Sequence, residues 1–114
     1  MKESVEIEIK KSYATLVALK NNLPKNDNIQ EKYVRIFNSE IERLTNLGFN
    51  DLKEFKVPES EIKPLLLGWN YITGGDKKYS QERYVDREFL LIKVDSVLGF
   101  FSVHSSKEEI GFKI

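Results

Sequence analysis

The sequence contains no cysteine and a single histidine, His104. Without cysteine the chain has neither disulfide bonds nor a thiolate, and one imidazole cannot form a histidine metal cluster. A serine triad would depend on His104, which lies in a polar segment without a nucleophile-elbow motif. We therefore predict no metal site and no cofactor, and we assign no catalytic residue.

Net charge and long apolar runs are also absent. Eighteen basic residues balance eighteen acidic ones, so no overall field attracts nucleic acid or an anionic membrane. The basic pairs Lys10-Lys11 and Lys77-Lys78 are each offset by nearby acids, and we do not expect nucleic acid as a partner. No apolar run reaches the roughly 18 residues of a membrane span, and the N-terminus lacks an apolar signal region. We expect a cytoplasmic protein without a membrane partner.

What is present fits a globular chain. Its 114 residues are 40% hydrophobic and 32% charged, which lies outside the composition typical of disorder. A chain of this length can bury a core without disulfides or metals. We predict one domain, residues 1–114.

Two segments in the first half have apolar residues at spacings of three and four, the period of a helix face. The first segment, Ser4 to Leu23, should end before Pro24, because proline disfavours the helical conformation of the residue before it. The second runs from Ile29 to about Leu47. The short loop between them favours antiparallel packing.

The second predicted helix has recognisable ends and one misplaced charge. Asp27 or Asn28 can cap its N-terminus, and Gly48 suits a left-handed C-terminal cap. Glu40 falls on the face expected to meet the core. A buried carboxylate needs a cation or a proton, so Glu40 should be neutralised.

The third segment, Ser80 to Val103, predicts one long helix that is apolar over most of its surface. Ser80 would be its N-cap, with Glu82 in the first turn. A helix of this kind must be surrounded by protein. Because two neighbouring helices cannot cover it, we predict a symmetric homodimer that buries part of Phe89, Ile92, Phe100 or Val103.

The crossover between the second and third helices is harder to interpret. The run Leu65 to Leu67 fits either a buried extended segment or a helical turn, and Gly74-Gly75 predicts a turn. A small hairpin joining Leu65–Tyr71 to Lys77–Tyr79 is compatible with this pattern. The predicted fold class is therefore mainly all-α: a compact three-helix domain with an irregular crossover that can contain a small hairpin.

A candidate ligand-binding site combines two arginines with the turn before the third helix. Arg83 and Arg87, one helical turn apart, could grip a phosphate or carboxylate, and neighbouring aromatic rings could stack on a base. The aromatic-rich turn consists of Trp69, Asn70 and Tyr71. In the alternative interpretation the aromatic residues are core anchors and the arginines neutralise carboxylates.

Charged residues at the start of the third helix are candidates for buried ion pairs. These candidates are Glu40, Glu82, Asp86 and Lys93, with Arg83 and Arg87 as the partners expected for Glu40. The three carboxylates could instead form a metal-dependent site assisted by Lys93. The chain has no Glu-x-x-His motif, and the adjacent cations favour ion pairing.

The leading hypothesis for function is a non-enzymatic helical interaction or assembly module that self-associates or binds a protein partner. One alternative is a sensor domain that binds a small anionic ligand such as a nucleotide. The other is a metal-dependent carboxylate enzyme.

Overall fold

The computed structural model describes residues 2–69 and 77–108, and the side chains within 4–68 and 77–101. It contains helices α1 (Lys2–Asn22), α2 (Glu31–Asn46) and α3 (Arg87–Glu108), strands β1 (Asn28–Gln30), β2 (Lys63–Trp69) and β3 (Lys77–Asp86), and short 3-10 helices at Asn50–Phe55 and Glu59–Glu61. The strands form one antiparallel sheet in the order β1-β3-β2. The fold is mixed α and β, so the prediction of a mainly all-α domain is wrong.

The largest error concerns the start of the third predicted helix, because residues 80–86 belong to strand β3. Val85 lies opposite Ile29 of β1, and both side chains are buried. These partners are distant in sequence, and a helical periodicity does not register such pairing. Strand pairing therefore decides the conformation of residues 80–86, although the apolar helix pattern continues after them.

Helix α3 begins at Arg87, and Asp86 is its N-cap. The Asp86 Oδ2 atom accepts a hydrogen bond from the Phe89 backbone N–H at 3.0 Å. The predicted cap, Ser80, instead lies within the sheet, where its Oγ accepts the Leu65 N–H at 2.8 Å. Ser80 therefore satisfies a backbone donor of β2 at an irregular point in the strand pairing.

Helix α2 begins two residues later than predicted but ends as expected. Its first residue is Glu31 because the preceding residues pair with β3, and its N-cap, Gln30, makes no side-chain capping bond. The prediction that Asp27 or Asn28 caps this helix is wrong. Gly48 has a φ of 116°, and the N–H groups of Gly48 and Phe49 return to the last turn of α2. The predicted glycine C-cap is confirmed.

The three helices, β1, β3 and the crossover share one hydrophobic core. Helix α3 contributes residues spaced four, three and four apart, which places them on a single face. Phe101 packs edge-to-face on Tyr13 and Phe49, with ring centroids 6.4 and 5.4 Å away. The fully buried apolar residues are Leu16, Ile29, Val34, Phe37, Ile41, Leu44, Leu52, Leu90, Val94, Val97 and Phe101.

A buried asparagine attaches the irregular crossover to α2. The Asn38 Nδ2 atom donates to the Val57 carbonyl at 3.1 Å, and its Oδ1 accepts the Val57 N–H at 2.8 Å. One side chain therefore satisfies both backbone groups of a residue that has no strand partner.

The molecule is elongated, contrary to the compact shape predicted. Its extents are 64 × 24 × 17 Å and its radius of gyration is 17.6 Å, whereas a compact chain of this length has about 13 Å. Helix α3, with its 22 residues, and strand β3, with its ten, are each about 33 Å long. The hairpin arm, residues 63–69 and 77–82, must therefore extend beyond the end of the helices.

Replacing Asn38 by alanine should destabilise the fold by about 2–4 kcal/mol, because both backbone groups of Val57 would lose their buried partner. The measurement is the free energy of unfolding in urea. Ser39→Ala, at the exposed neighbouring position, is the matched control and should change stability by less than about 0.5 kcal/mol. Equal effects of the two substitutions would contradict this role of Asn38.

Candidate interaction site

A cluster of four charged side chains lies where the hairpin arm joins the helices. Glu31 and Arg35 come from the first turns of α2, Glu59 from the second 3-10 helix and Arg83 from β3. The Arg83 guanidinium contacts Glu31 with two nearly parallel hydrogen bonds, Nε to Oε1 at 3.0 Å and Nη2 to Oε2 at 2.8 Å. This bidentate geometry is the most specific that arginine and a carboxylate can form.

Each arginine of the cluster contacts both carboxylates. Arg35 donates to Glu31 through Nε at 2.9 Å and to Glu59 through Nη1 at 2.5 Å. Arg83 Nη2 also reaches Glu59 Oε1 at 3.2 Å. The cluster is partly exposed, so its contribution to stability comes from the network geometry and not from any single pair.

The alternating charges of the cluster shift the pKa values of its four side chains. Hydrogen bonds from Arg83 and then Arg35 hold the pKa of Glu31 at about 2, below its ordinary value of 4.5. The pKa of Glu59 is also lowered, mainly by its hydrogen bond from Arg35. The same contacts raise the pKa of both guanidinium groups. All four groups are therefore charged at neutral pH.

The arginines of the predicted ligand site do not share a helix face. Arg83 lies in β3 and is bound to the cluster, whereas Arg87 opens α3 and donates its Nε–H to the Pro24 carbonyl at 2.9 Å. The Arg87 backbone N–H also bonds the Asp27 carbonyl at 2.8 Å. The prediction that Arg83 and Arg87 lie one turn apart on one helix face is wrong, because a strand-to-helix junction separates them. Whether they bind a ligand stays a prediction.

The aromatic half of that predicted site lies outside the described side chains. Residues Asn70 and Tyr71 lie outside the described residues, and so does the side chain of Trp69, whose backbone ends β2. Whether these residues bind a ligand stays a prediction.

The predicted partners of Glu40 are also wrong. Its side chain is 12% exposed, and its Oε1 lies 3.7 Å from Arg43 Nη1, one turn further along α2. The same Arg43 atom lies 3.8 Å from Glu8 of α1. Neither distance is a hydrogen bond, and Glu40 Oε1 has no hydrogen-bond partner in the described part of the chain.

The remaining predicted ion-pair residues lie apart from Glu40. Glu82 accepts hydrogen bonds from the Gln30 amide at 3.1 Å and the Tyr84 hydroxyl at 3.3 Å. Asp86 caps α3, and Lys93 Nζ lies 5.2 Å from the centre of the Phe89 ring. Within residues 4–68 and 77–101, no group of three histidine, cysteine or acidic residues could hold a metal ion.

A shallow groove of about 330 Å³ borders the charged cluster. Its lining has three basic residues and two acidic ones, and both of its arginines are bonded to carboxylates. Lys32 is the remaining cation of the lining, and the two guanidinium groups that could grip a phosphate are occupied by protein carboxylates. It is lined by Gln30, Glu31, Lys32, Arg35, Glu82 and Arg83.

The hairpin arm presents three large apolar side chains to solvent. Leu66 is 52% exposed, Leu67 is 67% exposed and Tyr79 is 52% exposed. Leu66 pairs with Tyr79, and the register shift between Leu66 and Gly68 places Leu67 at an irregular point beside that pair. Strand β2 packs chiefly on β3, and the described helices add little contact with it. Exposed apolar residues grouped in this way mark interaction surfaces in soluble proteins.

The outer edge of β2 is open in the described sheet, but its inner end is protected. Lys63 and Pro64 occupy the positions next to the helices, where charge and the missing N–H discourage pairing with another strand. The register shifts between Pro64 and Leu66 and again between Leu66 and Gly68. Such irregularities twist an edge away from a regular partner strand.

A second exposed surface runs along α3. Ile92 is 63% exposed, and it lies between two acidic residues, Glu88 and Asp95, on the side of the helix opposite the core. Asp95 pairs with Lys20 of α1 at 2.8 Å. We call Glu88, Ile92, Asp95, Ser96 and Gly99 the α3 stripe.

Comparisons of the chain with protein-family models, with curated proteins and with solved structures find no match. None of the described helices combines the length and the apolar character needed to cross a bilayer.

Replacing Glu31 by glutamine should flatten the acid dependence of stability. Because the pKa of Glu31 is about 2 when folded against an ordinary 4.5, its stabilising effect is present above pH 4.5 and is lost as the pH falls toward 2. Unfolding free energies measured between pH 2 and 6 should fall less steeply with acid in the Glu31→Gln variant.

The control for loss of one negative charge is Glu54→Gln, an exposed carboxylate without a hydrogen bond or ion pair in the described part of the chain. The unfolding free energy of this control should fall more steeply between pH 6 and pH 2 than that of the Glu31→Gln variant. Identical profiles for the two variants would show that the cluster does not shift the pKa of Glu31.

Proposed function

We propose that this chain is a non-enzymatic interaction module that binds a protein through its hairpin arm. The observation that carries the proposal is the exposure of Leu66, Leu67 and Tyr79 on an arm that extends beyond the helices. Three large apolar side chains on one small element are costly in water unless a partner covers them.

The stability of the arm supports the same conclusion. A two-stranded hairpin by itself is marginally stable in water, because each face needs a packed neighbour. The base of this hairpin is held by Val85 in the core and by Arg83 in the charged cluster. Its outer half has no such support from the described helices, so covering its faces would stabilise it.

The two alternative functions find less support in the geometry. The small-anion sensor required Arg83 and Arg87 to act together, and they bind different protein groups. The carboxylate enzyme required Glu40, Glu82 and Asp86 to converge. Instead, Glu40 lies near Arg43 of α2, Glu82 bonds Gln30 of β1, and Asp86 caps α3.

Site-specific photocrosslinking tests the proposed interaction directly. A benzophenone amino acid placed at Leu67 should form a discrete protein adduct on irradiation in cells that express the chain, because this side chain is 67% exposed on the arm. The matched control is the same amino acid at Lys53, exposed on the first 3-10 helix. Failure to form any adduct at Leu67, or the same adducts from both positions, would contradict the proposal.

A further inference from the structure

We infer that the partner is a second copy of this chain, with the arm of each copy lying along the α3 stripe of the other. This inference rests on the proposed function and adds the identity of the occupant. The resulting contact is reciprocal: Leu67 and Tyr79 of one copy cover Ile92 of its partner, and the same contact occurs again on the other side of a two-fold axis.

The charges of the two surfaces are complementary. Lys77 and Lys78 lie in the outer half of the arm and Asp76 precedes them in the sequence, so this end of the arm carries a net charge of +1. The α3 stripe carries Glu88 and Asp95 and no basic residue, although Lys20 of α1 pairs with Asp95. That pair is exposed, so Asp95 can exchange it for another lysine at little cost. Opposite charges beside apolar contacts favour this orientation over one that pairs like surfaces.

The lengths of the two surfaces also match. Strand β3 ends at Asp86 and α3 begins at the next residue, and each element is about 33 Å long. The long axis of 64 Å shows that arm and helices lie nearly end to end. Leu67 lies opposite Tyr79 and Lys78, about 25 Å along the arm from the junction of β3 and α3, and Ile92 lies about 8 Å along α3 from it. A two-fold axis that crosses β3 about 8 Å before the junction, close to Tyr84, therefore places Leu67 of each arm beside Ile92 of the partner's α3.

Edge-to-edge pairing of two β2 strands fits the surface less well. Lys63 and Pro64 protect part of that edge, and two register shifts interrupt the rest. Such pairing would also leave Ile92 of α3 uncovered. Docking along α3 covers the exposed apolar residues of both elements at once.

Cysteine crosslinking distinguishes these arrangements, since the chain has no cysteine of its own. Full-length Leu67→Cys and Ile92→Cys chains are mixed in equal amounts and oxidised mildly, and the disulfides are identified by mass. Both positions are exposed, so the substitutions should leave the melting temperature nearly unchanged. The expected main product joins position 67 of one chain to position 92 of the other.

Three results would overturn the inference. A main product through two positions 67 would show paired arms, and one through two positions 92 would show paired helices. Absence of disulfide above the level given by an Ile36→Cys chain, exposed on α2, would show that the surfaces do not meet.

Sedimentation provides a second measurement that needs no crosslink. The unmodified chain should be dimeric at micromolar concentration, and Ile92→Ser should weaken the dimer roughly tenfold because each substitution removes two symmetric contacts. The control, Ile36→Ser, should leave the dissociation constant unchanged. A monomeric chain would overturn this inference while a crosslinked adduct with a different protein at Leu67 would still support the proposed function.

Discussion

The structure depends on the junction at which strand β3 becomes helix α3. On the strand side, Val85 is buried against Ile29 and Arg83 is held by Glu31 and Glu59. On the helix side, Asp86 caps α3 and Arg87 bonds the loop after α1. The partners at this junction come from three other parts of the sequence: the loop after α1, β1 with the start of α2, and the second 3-10 helix. They therefore determine both where α3 begins and where the arm leaves the helices.

This junction explains why one chain has two different kinds of surface. Beyond it, α3 turns its apolar residues into the core and leaves a stripe with Ile92 between acids. Before it, β3 leaves the core and pairs with β2, whose leucines face water. The charged cluster lies between the two surfaces. Its bidentate contact between Arg83 and Glu31 can fix the direction in which β3 leaves the core without burying a charge. The two exposed surfaces are therefore consequences of a single change of backbone conformation.

The helices were largely predictable from sequence, because apolar spacing, Pro24 and Gly48 are local signals. The strands were not, since residues 80–86 continue into a strongly apolar helix, and their pairing with Ile29 is not visible in a local pattern. Tyr79, Tyr84 and Val85 are residue types that favour strands, and Asp86 before an apolar run is an N-cap signal. These signals, given more weight, would have moved the helix start to Arg87.

The candidate sites were predicted less well than the helices. The spacing of Glu31 and Arg35 is a recognisable helix pair, but Glu59 and Arg83 join them only through the fold.

The most direct test of the account is the set of backbone carbon chemical shifts of residues 77–90 in solution. We expect strand values through Asp86 and helical values from Arg87. Continuous helical values from Ser80 would contradict it, because the arm, the cluster and the junction would then not exist.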